Sequence, residues 1–121
     1  MNVPNNVFCL GNIANAGIYN TQVDLFVLPS DYEGLPIVII EAMSCGKPIV
    51  SSNVGGIGEI VYNGENGYVV NNNSIDFAKK IEYILQDDII YSRFSTRSLA
   101  IFNEKLTVDK MIGEYKKIYN R

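Results

Sequence analysis

An α/β layer fold built on a Rossmann-like parallel sheet of about four strands, with flanking helices, is predicted for this chain by three features of its sequence. Short apolar runs alternate with segments of helical character. The run VDLFVLP, from Val23 to Pro29, has almost no polar interruption, the pattern of a strand buried on both faces. The segment that follows it is punctuated as a helix by Pro36, Gly46 and Pro48.

Taken in order, Val7 to Leu10 is a short apolar run closed by Gly11 and reads as the first strand. Asn12 to Gln22 is polar with scattered Ile13, Ala14, Ile18 and Tyr19, and reads as a short helix. VDLFVLP is the second strand. In LPIVIIEAMSCGKP the β-branched residues Ile37, Val38, Ile39 and Ile40 favour a strand by propensity, but the punctuation decides for helix. Pro36 suits a first helical position, Gly46 a left-handed position after the last turn, and Pro48 forbids continuation. Apolar nearly all round, such a helix is expected to be buried, with Glu41 inside it.

PIVSS, from Pro48 to Ser52, is the third strand, GGIGEIV a turn into a short helix, NGENG a loop, and Tyr68 to Val70 the fourth strand. This order implies parallel strands joined by right-handed crossovers. Ser74 is positioned to cap a helix whose apolar positions Phe77, Ala78, Ile81, Ile84 and Leu85 recur at threes and fours. A weaker helix follows over Asp88 to Asn103, with Ile90, Phe94 and Ile101 facing one way. Thr107 caps the last, whose stripe is Val108, Met111, Ile112, Tyr115, Ile118 and Tyr119. These stripes read as core rather than as a cofactor site. With no repeat, low-complexity tract or linker, residues 1–121 form a single domain.

Composition narrows the function classes. At 47% hydrophobic and 19% charged, the chain is neither disordered nor a disulfide scaffold. Its formal charge of −3, without a basic stripe, argues against a nucleic-acid partner. No apolar run reaches the ~20 residues of a membrane span, and the start MNVPNN lacks the order of a secretion signal, so the expected location is cytoplasmic. Cys9 and Cys45 sit in apolar settings and read as small buried hydrophobes. The absence of His removes the usual base of a nucleophilic triad and the usual zinc ligand.

The informative stretch is PSDYEGLP and the helix after it. Ligands in parallel α/β sheets bind beyond the carboxyl ends of strands, where loops enter helix N-termini. The N–H groups of Leu35, Ile37 and Val38 are among the orphan donors of such a start, and Gly34 permits close backbone approach. Glu33 precedes the helix, and Glu41 lies about 7.5 Å along it, with a side chain that tilts back toward the same end. Two acids flanking a phosphate-sized gap suit a nucleotide sugar: carbohydrate at one carboxylate, diphosphate between, ribose at the other. The plainer alternatives are that Glu33 caps the helix and Glu41 is a structural acid.

The stretch DLFVLPSDYEGLPIVIIEAMSCGKPIVSSNVGGIGEIVYNGENGYVV, Asp24 to Val70, resembles the C-terminal half of the retaining glycosyltransferases of the GT-B fold, family four, the glycosyl transferases group 1. The likeness runs from about Val7 through the last helix. It implies a partial GT-B C-terminal domain that binds the donor in transfer of a sugar from a nucleotide diphosphate sugar to a glycan, lipid-linked or similar hydroxyl acceptor, with retention, as in polysaccharide biosynthesis. By resemblance Glu33 is the catalytic acid of an E-x7-E motif, contacting the donor sugar near the reacting carbon and stabilising charge rather than attacking. Glu41 binds the ribose hydroxyls, and Gly34, Leu35, Pro36, Ile37 and Val38 wrap the sugar and diphosphate. Gly55, Gly56 and Glu59 match a mainly structural Gly-Gly turn. No metal or other cofactor is implied.

Against the family pattern, the Arg and Lys that clamp the diphosphate have no counterpart here, and the nearby cation, Lys47, falls past the far end of the helix. The acceptor-binding lobe has none either. In the doubly wound order 3-2-1-4-5-6, VFCL matches strand 3 and VDLFVL strand 4, so the strands that separate them are missing. The expectation is a fragment with an open strand edge, inactive alone, whose partners are a nucleotide sugar and a lobe or second chain; that lobe would also make any peripheral membrane contact. The alternatives are that VFCL pairs directly with VDLFVL, and that the chain is a catalytically incomplete binding module or a structural remnant.

Overall fold

The structure is a computed structural model that describes residue 6 and residues 20–29, 37–53 and 55–107. Within them a three-stranded sheet is ordered β1-β2-β3, with β1 at Phe26–Leu28, β2 at Ile49–Ser52 and β3 at Gly67–Val70. Both pairings are parallel, in registers that set Phe26 beside Ile49 and Ile49 beside Gly67. These are the second, third and fourth predicted strands. The first, Val7 to Leu10, lies outside the described residues, as do most of the following helical segment and the final helix after Thr107.

Parallel strands need crossovers, and the first is α1, Ile37–Ser44. Its end is a Schellman closure: Gly46 takes φ +70°, its N–H donates to the Met43 carbonyl, and the Lys47 N–H donates to the Ala42 carbonyl. Pro48 then leads directly into β2. A 3-10 turn, Ile57–Glu59, and a tight loop with Gly64 at φ +80° carry the chain to β3. α2 spans Ser74–Leu85 and α3 Asp88–Ile101, the latter running on into a π-helical turn at Phe102–Leu106.

The cap of α2 differs from expectation. Asn73, not Ser74, caps α2: its side chain accepts from the Asp76 N–H at 2.9 Å and donates to the Asp76 carboxylate at 3.0 Å, a reciprocal pair that satisfies one orphan amide. Asp87 does the same service for α3, accepting from the Ile90 N–H at 2.7 Å.

Alternation along β2 builds the core on both faces of the sheet. Ile49 joins Ile39, Ala42, Met43 and Ile57 beneath α1, while Val50 joins Val70, Phe77, Ile84 and Phe94 beneath α2 and α3. α3 lies against the α1–β2 turn, at the amino end of β2, where Ser95 and Ser98 donate to the carbonyls of Gly46 and Lys47. It also contributes Phe94 to one cluster and Ile101 to the other.

Two burial expectations are corrected. β1 is not buried on both faces: Val27 is 36% exposed, because β1 is the end strand of the described sheet and only part of it is covered. Nor is α1 buried all round. A helix laid on one face of a sheet can bury one stripe, here Ile39, Ala42 and Met43 with Ile40 half-buried beside it, and Ile37 and Val38 stay at the solvent.

Gly67 is a point of close approach between β3 and β2. A Cβ there would stand 1.8 Å from the Ile49 carbonyl oxygen, whereas one at Gly64 meets nothing within 4 Å. Gly67→Ala is therefore expected to cost about 3 kcal/mol or more, by splitting β3 from β2, and Gly64→Ala only the ~1–2 kcal/mol of left-handed backbone strain; urea unfolding of the two variants checks the difference. The Tyr91 hydroxyl donates to the Asp24 carbonyl at 2.6 Å, and burial first, then the Asp24 charge, push its phenol above its ordinary range. A raised pKa means that the protonated form favours the fold. This contribution is complete below about pH 10 and is lost as pH rises through the native value, so stability should decline in alkali, less steeply in Tyr91→Phe.

Candidate functional site

Of the residues that the sequence places in the site, the structure describes Ile37, Val38 and Glu41; Glu33, Gly34, Leu35 and Pro36 lie outside the described residues. Ile37 and Val38 are the first two residues of α1, so their N–H groups fall outside the helix's own ladder. Their side chains are 55% and 42% exposed. Glu41 follows them at four and three residues, which brings it onto the same flank, and it too is exposed. The structure thus gathers two apolar side chains and one acid on the outer flank of α1, at the end that receives the chain from β1.

Exposure changes the argument about Glu41. An acid inside an apolar helix would need a buried partner. On the outer flank it needs none, and its carboxylate is accessible. The hydrogen bond at this residue is a local one, from the Ser44 hydroxyl to the Glu41 carbonyl at 2.6 Å.

Two serines that read as ordinary strand residues lie at the carboxyl end of β2, and one of them ties that strand to β1. The Ser52 hydroxyl donates to the Leu28 carbonyl at 3.3 Å, and the Ser51 hydroxyl to the Ser52 carbonyl at 3.0 Å. Both are buried. Leu28 is the last residue of β1, so this contact anchors the carboxyl end of that strand. The only sequence signal was polarity at the end of an otherwise apolar strand.

The Gly-Gly turn makes the hydrogen bonds of a turn. Gly55 has φ +52°, the Glu59 N–H donates to the Gly56 carbonyl at 3.1 Å, and the Tyr62 hydroxyl donates to the Glu59 carbonyl at 2.9 Å. The buried Asn66, which reads as plain loop, is the hub beside it: it accepts from the Tyr62 N–H and donates to the Ile60 carbonyl. Lys47 stands at the opposite end of α1 from Ile37, as its position in the sequence requires. Cys45 is a half-buried free thiol. Among the described residues no cluster of His, Cys, Asp and Glu is arranged to hold a metal ion, and no helix is long and apolar enough to cross a membrane. A groove of about 900 Å³ lies elsewhere, along β3.

The profile of the family described as glycosyl transferases group 1 matches residues 1–99. The O-antigen chain mannosyltransferase B of Escherichia coli is 45% identical over 76 residues, 62% of this chain and 19% of that protein. The N-acetyl-alpha-D-glucosaminyl L-malate synthase of Bacillus anthracis is 28% identical over 120 residues, 98% of this chain and 32% of that one. The crystal structure of Anabaena HepE in complex with UDP superposes with a TM-score of 0.84 at 27% identity, over 92% of this chain and 31% of HepE. The chain spans about a third or less of the length of these relatives.

The exposure of the α1 flank gives a direct expectation for stability. Ile37→Thr and Val38→Thr should each change unfolding free energy by no more than about 0.5 kcal/mol. Met43→Ala, on the buried flank, should cost about 2–5 kcal/mol; denaturant titration of the three separates the flanks.

Proposed function

The chain belongs to the glycosyl transferases group 1 family, and on that premise we propose that it is a nucleotide-sugar-binding module, the donor side of a retaining sugar transfer. The observation that carries the reading is the accessible Glu41, on the exposed flank of α1 close to its first amides, in a chain that superposes on a UDP-bound protein. The chemistry divides by residue. Glu41 accepts hydrogen bonds from the ribose hydroxyls. The main chain from Gly34 to Val38 faces the diphosphate, and Gly34 lets it approach.

Glu33 holds the donor sugar and stabilises the positive charge that develops at its reacting carbon as the nucleotide departs, while the leaving phosphate takes the proton of the acceptor hydroxyl. A helix N-terminus contributes only about 0.3–1 kcal/mol toward an anion. A diphosphate beside Glu33 and Glu41 therefore needs further cations, and an acceptor needs a second wall. Transfer accordingly requires an acceptor-binding lobe in addition to the surfaces described, in the same polypeptide or in another chain.

Calorimetric titration of UDP, GDP and their sugars tests this. One nucleotide series is expected to bind, and Glu41→Ala to weaken it by about ten- to a hundredfold, the loss of a charged hydrogen bond, with an unchanged melting temperature. A nucleotide lacking the ribose hydroxyls should lose no further affinity in that variant. Silence with every nucleotide overturns the reading, and turnover by this chain alone overturns the need for a second lobe.

A further inference from the structure

The groove along β3 is built differently from the head of α1. Tyr68, Val69 and Val70 of β3 form its floor, Lys79, Lys80 and Tyr83 of α2 line one side, and the segment from Val61 to Glu65 lines the other. Asn53 and Asn71, the residues that follow β2 and β3, stand at its carboxyl end. We propose that this groove binds a neutral, unbranched glycan chain, and the proposal stands independently of nucleotide binding at α1.

Three observations select that ligand. The outward-facing backbone of β3 is already engaged: the Val69 N–H donates to the Asn63 side chain at 2.7 Å, and the Gly67 carbonyl accepts from the Gly64 N–H at 3.0 Å. A peptide cannot add as a strand where those groups are taken. Next, the lining charges are of both signs, Lys79 and Lys80 beside Asp76 and Glu65, with Glu65 itself paired to Arg97 at 3.1 Å, so little net field is left to select a polyanion. What remains is neutral hydrogen-bonding capacity, in the amides of Asn53 and Asn71, beside an aromatic surface.

That surface is rigid. Tyr83 is 38% exposed, and its ring is held edge-on to Tyr68 at 6.1 Å and to Phe94 at 6.4 Å. A fixed, half-exposed ring offers its π surface to the C–H groups of a sugar, while the amides and ammonium groups beside it meet the hydroxyls. A volume of about 900 Å³, open along its length, accommodates several residues of an extended chain.

The test is a titration of the isotope-labelled chain with unbranched neutral hexasaccharides of glucose, mannose and galactose, read by amide chemical shifts and repeated at high salt. At least one should give saturable shifts at Asn53, Asn71, Lys79 and Tyr83 that persist in salt. Tyr83→Ala should weaken binding about tenfold, as should the double variant Asn71→Ala with Lys79→Ala, which leaves the ring cluster whole and controls for folding. Glu41→Ala should not change it, and Tyr83→Ala should not change the UDP titration. Absence of shifts with every hexasaccharide, shifts confined to α1, or binding of sulfated glycans alone that salt abolishes would each overturn the proposal.

Discussion

The geometry at the head of α1 depends on how its tail is pinned. The Schellman closure at Gly46 turns the carbonyls of Gly46 and Lys47 away from the helix, and two serines one turn apart on α3 meet them, Ser95 at 2.6 Å and Ser98 at 2.7 Å. An eight-residue helix is a stiff rod of about 12 Å. With its tail fixed to α3 and one stripe seated on the sheet, its other end has one place to be. That place sets which flank carries Ile37, Val38 and Glu41 outward.

The same contact leaves the carboxyl end as the one open to a ligand under the proposed function. α3 packs against the turn that enters β2, so the amino end of the sheet is occupied by structural hydrogen bonds and by parts of both core clusters. At the other end the strands finish in short polar steps, Ser51 and Ser52 after the apolar part of β2 and Asn71 after β3. At such polar strand ends ligands can be served by backbone and polar side chains.

Much of this was legible in residue punctuation. Pro36, Gly46 and Pro48 located α1 and the entry to β2 against a strongly β-branched run, because the positional demands of proline and of a left-handed residue outweigh propensity. Alternation and turn residues likewise placed β2 and β3. Burial was less legible. The sequence makes Ile37, Val38 and Val27 look like core, but exposure is decided by how many neighbours the tertiary arrangement supplies, which composition does not state. The true cap of α2, Asn73, stands one residue before the predicted Ser74, since several adjacent polar residues could serve and only backbone geometry chooses. Asn66 and Gly67 read as loop; their roles arise from an approach to Ile49, about eighteen residues earlier in the chain. Much of the candidate site rests on Glu33 and its neighbours, where the sequence remains the source of the assignment.

Asn63 and Gly64 engage β3 on its outward flank. Among the described residues that flank is taken in part by the protein's own turn, so a strand added there would find two of its hydrogen-bonding positions already occupied. The turn thereby protects an end strand of the described sheet against pairing with another chain.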